Sequence, residues 1–303
     1  MKTLVGDSIE LSLYNIVELQ SIFHKYKKQS WAYFVPFLLS YNLPPYRKIY
    51  IYSELNAFFI YQITLNDNTY RMDLVFPPLG LTYSSFDLFK KIANNLRQKS
   101  LRILWLDSQD RLFFKSIKSK SLNISVKDNE YIYDPKGLHA LQGHKYKDVR
   151  KKINSVKRKS PMFYVLEEKD VLNALSLLKE WRKLQGRKNG FLLDWGYTVS
   201  ALKQMMFFEK TDLSAYGVSI DGELKAFAMV GPIDECTASF FVAKSDTRIK
   251  GLSEFLRWRI CGELQDYSFI NDAGDLGLSG LRQYKTKLRP IRRNLVYSAT
   301  FII

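Results

Sequence analysis

HKYKDVRKKINSVKRKS, residues 144–160, lies at the middle of a 303-residue chain and decides how the rest is read. Tyr146, Val149, Ile153 and Val156 recur at spacings of three and four, the period of one helix face. Around that stripe stand Lys145, Lys147, Arg150, Lys151, Lys152, Lys157, Arg158 and Lys159, against the single acid Asp148. The spacing predicts a helix whose apolar stripe packs on the protein while its cations face outward. A domain commonly holds about 100–200 residues, so two domains are expected, with this helix where a linker would fall.

Working outward, the same order of elements is expected on both sides. After the helix, MFYVLEE (162–168) reads as a strand, followed by helices over about 170–188 and 198–210. LSAYGVSI and ELKAFAMVG flank Asp221-Gly222, a hairpin turn signal. CTASFFVA (236–243), a helix over about 249–265, YSFIN (267–271), a helix over 278–287 and LVYSATFII (295–303) complete the half. Before the helix, SIELSL, helices over 14–28 and 31–40, KIYIYS, AFFIYQITL, YRMDLVFP, a helix over 84–97, LRILWL, a helix over 108–116, LNISV and YIYD give the matching series. The expected class is α+β, with an N-terminal domain over 1–135, a basic linker helix over 136–160 and a C-terminal domain over 161–303.

Composition narrows the function. At 46% hydrophobic and 25% charged residues the chain can bury a sizeable core, which excludes a disordered or disulfide-scaffold protein. Cys236 and Cys261 are the only cysteines, and His24, His139 and His144 the only histidines. No metal-ligand spacing is offered, so no metal is expected, and a reducing, cytoplasmic compartment fits. Asp7 and Glu10 interrupt any secretory signal. The uncharged run QSWAYFVPFLLSYNLPPY (29–46) is broken by Pro36, Pro44 and Pro45. It predicts a buried segment, or one touching an anionic membrane surface, rather than a spanning helix.

The net charge of +16 is concentrated. The 144–160 run and a second run, Arg282, Lys285, Lys287, Arg289, Arg292 and Arg293 with no acid among them, hold 13 of the 16 net charges. Two dense patches set a local field that calls for a polyanionic partner such as nucleic acid. Lys147, Arg150, Lys151, Lys157 and Arg158 are the candidate nucleic-acid contacts.

Two motifs carry candidate chemistry. In NDAGDLGLSGLRQYK (271–285), Gly274, Gly277 and Gly280 punctuate a loop that leaves a strand and enters a helix, where free backbone N–H groups favour anions. Arg282 and Lys285, three apart, share a helix face beside Asp272 and Asp275. Arg248-x-x-Gly251-x-Ser253 falls at the turn between CTASFFVA and the next helix, a place where backbone amides can hold a pyrophosphate. The same residues also fit a capped helix with internal ion pairs.

The element order resembles the GNAT acyltransferase fold, used twice. Tyr131-Ile132-Tyr133, Leu138, Leu141, Gly143, the run Lys147–Asn154, the run Ile270–Lys285 and Pro290 resemble the bacterial family built on the C-terminal domain of phosphatidylglycerol lysyltransferases. The chain departs from that family at Phe241 and Ala243 before Lys244, where the family tends to have a histidine and a glutamate before a lysine, at Lys151 in place of asparagine and at Ala273 in place of glutamate. The resemblance implies two tandem GNAT-like domains joined by the basic helix. It implies acyl transfer from aminoacyl-tRNA to an amine or hydroxyl acceptor, with Asn271, Asp275, Arg282 and Lys285 as catalytic candidates and no further cofactor. An acyl-CoA donor held by Arg248, Gly251 and Ser253, or a GNAT-like pair that binds nucleic acid without turnover, remain open alternatives. The oligomeric state is not legible.

Overall fold

The computed structural model describes residues 7–54, 57–66, 69–80, 83–116, 121–186 and 195–303. The expected element order occurs twice. Strand, two helices, three strands, helix, strand, helix and strand run from Ile9 to Tyr133 and again from Met162 to Ile302. Apolar alternation in the strands and the stripe of each helix supply two cores. The long helix expected to reach Lys188 is described as Val171–Gly186, and residues 187–194 lie outside the described residues.

The chain divides into two compact units that are not contiguous in sequence. The first comprises 1–26, 41–129 and 294–303, and the second 27–40 and 130–293. Relative to the split expected at 135 and 161, three segments have changed sides: 27–40 and 130–135 belong to the second unit and 294–303 to the first. In the first unit the order of paired strands is Ile9–Glu10, Arg47–Glu54, Ala57–Asn66, Thr69–Leu74, Ser100–Leu106 and the end of the chain. There Ala299 and Phe301 pair with Ile103 and Leu101, around a core that includes Phe59, Tyr61, Leu74 and Phe114.

In the second unit the order runs from Glu130–Tyr133, the end of a strand that starts at Leu122, through Phe269–Asn271, Thr237–Ser245, Glu223–Pro232 and Ser214–Ile220 to Met162–Val165. LNISV and YIYD, expected as two strands, are one continuous strand, Leu122–Tyr133. Each half thus ends in a strand that pairs within the other unit. β-pairing reads hydrogen bonds and burial, and these are indifferent to chain distance.

The basic linker is two helices, not one. Pro135–Ala140 stops at Leu141, whose φ of 50° caps it in the left-handed region, and Gly143 follows at φ 82°. The second helix, Lys147–Lys157, buries Val149, Ile153 and Val156, so the predicted stripe is the packed face. The 29–46 run contains a helix over Val35–Tyr41, and Phe34, Phe37, Leu38 and Leu39 are buried in the second unit. Among the described residues no helix is long and apolar enough to cross a membrane.

Candidate functional site

Two parallel strands of the second unit position the site. Thr237, Ala238 and Ser239 pair with Phe269, Ile270 and Asn271, and the pairing ends there, while the first strand continues to Ser245. On its other edge this strand pairs with Glu223–Pro232 and is irregular between Phe240 and Val242. Ligands of open α/β sheets bind where parallel strands part at their carboxyl ends, and a bulge re-aims the backbone at such a place. Pleating then sends alternate residues to opposite faces.

One face is ionic. Asp272 follows Asn271 and turns toward the helix Leu252–Glu263, where Arg257 clasps it through Nε at 3.2 Å and Nη2 at 3.1 Å. Arg257 Nη1 also donates to Ser253 Oγ at 3.0 Å and Tyr284 OH at 3.2 Å. Burial alone would weaken the guanidinium's hold on its proton, but the charge of Asp272 outweighs it and the net shift is upward. Burial likewise pushes the Tyr284 hydroxyl up to about 12. Lys285 is buried, its Nζ bonded to Asp272 O and Ala273 O and 3.7 Å from Asp272 Oδ1. Its carbonyl accepts from Tyr133 OH at 2.8 Å. Asp275 accepts from Tyr131 OH at 2.7 Å, Arg282 Nε at 3.0 Å and Gly277 N at 3.0 Å. Burial raises its carboxyl pKa, but these donors more than offset that and leave it below its ordinary value.

The other face is aromatic. Asn271 pairs with Ile132 in the antiparallel ladder, so it shares a face with Glu130, two residues before Ile132. Asn271 Nδ2 donates to Glu130 Oε2 at 2.7 Å, and its Oδ1 accepts from Ala273 N at 3.0 Å. Glu130 Oε1 accepts from Ser30 Oγ at 2.5 Å and Trp31 N at 3.0 Å. Beside it Trp31, Phe34, Phe37, Tyr197 and Phe241 form one ring cluster, with Trp31–Phe37 centroids 4.3 Å apart and Tyr197 stacked on Phe241 at 5.9 Å. Phe241 therefore contributes a packing ring and no titratable group. Lys244, further along the strand, is buried with its Nζ 4.2 Å from the Trp181 ring centroid.

The predicted catalytic set is thus divided. Asp275, Arg282 and Lys285 lie in the ionic network, and Asn271 belongs to the opposite face. Lys285, expected to reach substrate, holds loop carbonyls instead. Arg248, expected to hold a donor phosphate, forms a two-pronged pair with Asp246 at 2.8 and 2.7 Å, although its side chain stays exposed. Gly251 starts the helix at φ 89°, and a Cβ there would lie 2.6 Å from Lys152 O, so glycine is required by close packing. Ser253 is taken up by Tyr284 OH at 2.9 Å and by Arg257. In the basic helix Lys147, Lys151, Lys157 and Arg158 are exposed, whereas Arg150 turns inward to the carbonyls of Leu141 and Gly143.

Sequence reading missed Glu130, Ser239 and Arg257. A lone carboxylate immediately before the apolar run Tyr131-Ile132-Tyr133 was the available signal for Glu130. Nothing in an apolar run such as CTASFFVA marks Ser239. Among the described residues no group of three or more His, Cys, Asp or Glu is placed to hold a metal ion.

With this geometry in hand, comparisons with known proteins are specific. The family model "Phosphatidylglycerol lysyltransferase, C-terminal" matches residues 41–300. A conserved protein of unknown function from Bacteroides thetaiotaomicron has a similar crystal structure, with a TM-score of 0.75 at 19% identity over 97% of this chain and 99% of that one. L-PGS from Bacillus licheniformis matches with a TM-score of 0.64 at 17% identity, over 93% and 90% of the two chains. A tandem GNAT protein from the clavulanic acid biosynthesis pathway matches with a TM-score of 0.54 at 9% identity, over 97% of each. At these identities the likeness shows the fold, two tandem GNAT-like domains. No curated protein matches the chain.

Proposed function

Because the chain belongs to the phosphatidylglycerol lysyltransferase C-terminal family, and its function is therefore of the acyltransferase type, we propose that it transfers an aminoacyl group from aminoacyl-tRNA to an amine or hydroxyl acceptor, a lipid or a small molecule. The observation that carries this reading is a coincidence of place. The parallel strands part at Asn271, within the Ile270–Lys285 run that resembles the family, and opposite the bulge at Phe241. A carbonyl lying in such a gap meets fixed backbone dipoles that favour a developing oxyanion. The acceptor's nitrogen or oxygen attacks the carbonyl carbon, the ester bond to the tRNA breaks, and the acceptor's proton passes to the departing oxygen. The ionic face keeps the loop after Asn271 rigid, so that Asn271 and Glu130 are presented from a fixed base.

The charge distribution supports a tRNA donor. Lys147, Lys151, Lys157 and Arg158 are exposed on one helix of the second unit, and Lys287, Arg289, Arg292 and Arg293 are exposed near its end. Two exposed clusters of lysine and arginine suit a long phosphate backbone. Arg248 already engages Asp246 and is a poorer candidate for the phosphates of CoA. No metal is invoked, and a charged tRNA places the reaction in the cytoplasm.

The test is incubation with a pool of charged tRNAs and, separately, with acyl-CoAs, in the presence of phosphatidylglycerol vesicles or free amines. Accelerated loss of the aminoacyl group from tRNA, with its appearance on the acceptor, is the expected result. Acyl-CoA consumption with the tRNA pool intact selects the acyl-CoA alternative, and binding of tRNA without loss of its acyl group selects the non-catalytic one.

A further inference from the structure

Ser239 is the last residue of its strand to be paired with Phe269–Asn271, and its register partner is Asn271. It therefore lies on the aromatic face, next to Asn271 across the ladder and two residues from Phe241 on its own strand. Its side chain has no exposed surface, and its Oγ has no hydrogen-bond partner within the protein. A buried hydroxyl with no partner lacks the compensation that folded proteins ordinarily provide. Here that hydroxyl sits where the strands open.

We propose, resting on the acyl-transfer reading above, that Ser239 Oγ donates a hydrogen bond to the acyl carbonyl oxygen as that oxygen takes up negative charge, beside the backbone of the Phe240–Val242 bulge. A hydroxyl is a donor whose direction can turn to meet the oxygen, and a donor acts most strongly where water is excluded. The electron pair displaced onto the oxygen by the attacking acceptor returns when the bond to the donor breaks. Ser239 lends a hydrogen bond throughout and transfers no proton. A nucleophilic serine would need a base within hydrogen-bond reach of its oxygen, and Ser239 has none. Of the five rings on this face Trp31 and Tyr197 are partly exposed, while Phe34, Phe37 and Phe241 are buried.

Thr237 supplies the control. It lies two residues earlier on the same face, is buried, and its Oγ1 also has no hydrogen-bond partner, but it pairs with Phe269 at the opposite end of the paired stretch, away from where the strands part. The experiment compares wild type, Ser239→Ala and Thr237→Val in transfer from the charged-tRNA and acyl-CoA pools, with Tm measured for each. The expected result is a kcat about 100-fold lower for Ser239→Ala, the scale of one lost oxyanion donor. Its KM stays within about two-fold and its Tm is unchanged or higher, because no native bond is lost. Thr237→Val keeps the wild-type kcat. A Ser239→Ala kcat within about three-fold of an active wild type overturns the proposal and leaves the acyl-transfer reading standing. So does an equal loss of kcat in both variants with lowered Tm, which assigns the effect to packing. A wild type that transfers from neither pool overturns the functional reading and this proposal with it.

Discussion

Asn271 and Asp272 are neighbours in sequence and belong to opposite faces of the sheet. Asp272 enters a face of answered charges: Arg257 and Lys285 meet Asp272, and nearby Asp275 meets Arg282 and accepts from Tyr131 OH. Asn271 enters a face of rings, where Glu130 accepts from Ser30, Trp31 and Asn271, and Ser239 Oγ has no partner. A fully answered ionic network rigidifies, because breaking any member exposes another buried charge. Chemistry needs groups that are still able to bond to a ligand. The motif that reads as one site is a scaffold on one face and a candidate reaction surface on the other.

The largest test of that division is Asp272→Ala. It leaves Arg257 buried without its carboxylate, and unfolding in denaturant should show a loss of about 3–5 kcal/mol, the cost of breaking a buried pair. A loss below about 1 kcal/mol would mean that the ionic face is not the scaffold. Next is Asp275→Asn, expected to cost about 2 kcal/mol, since three donors including a guanidinium point at that carboxylate. Its pH signature is distinct. The folded carboxyl lies below the ordinary value of about 3.9, so its contribution is fully present above that pH and is lost as pH falls through the folded value. Tm measured against pH should lose part of its acid limb in the variant.

A smaller effect is expected at the alkaline end. Tyr284 is raised to about 12 from an ordinary value near 10, so the stability linked to its neutral form is complete below about pH 10 and declines as pH rises through 12. Tyr284→Phe should remove that decline, and tyrosinate absorbance should follow it in the wild type. The basic helix offers the finest comparison. Arg150→Ala should cost about 1 kcal/mol, because its bonds to the Leu141 and Gly143 carbonyls disappear, and should leave the salt dependence of tRNA binding unchanged. Lys151→Glu should do the reverse: Tm unchanged, and the slope of log affinity against log salt flattened, by roughly 0.7–0.9 for each phosphate that is no longer neutralised. A slope unaltered by Lys151→Glu removes the helix from the interface.

The sequence by itself determined the elements. The spacing in 144–160 placed the buried stripe Val149, Ile153 and Val156, and the glycine-punctuated run after YSFIN placed the helix Ser279–Lys287, because side-chain period and backbone preference are local properties. It also determined where charge accumulates. Only the tertiary structure decided which strand pairs with which: Leu122–Tyr133 and Arg292–Ile302 each end in the unit built mainly from the other half, since apolar strands of similar pattern carry no label for a partner. It also decided that Arg150 turns inward, because a carbonyl within reach competes with solvent for a guanidinium. And it decided which polar groups meet, bringing Glu130 to Asn271 across 141 positions of sequence and leaving Ser239 Oγ without a partner, through a pleat and a register that no local pattern encodes.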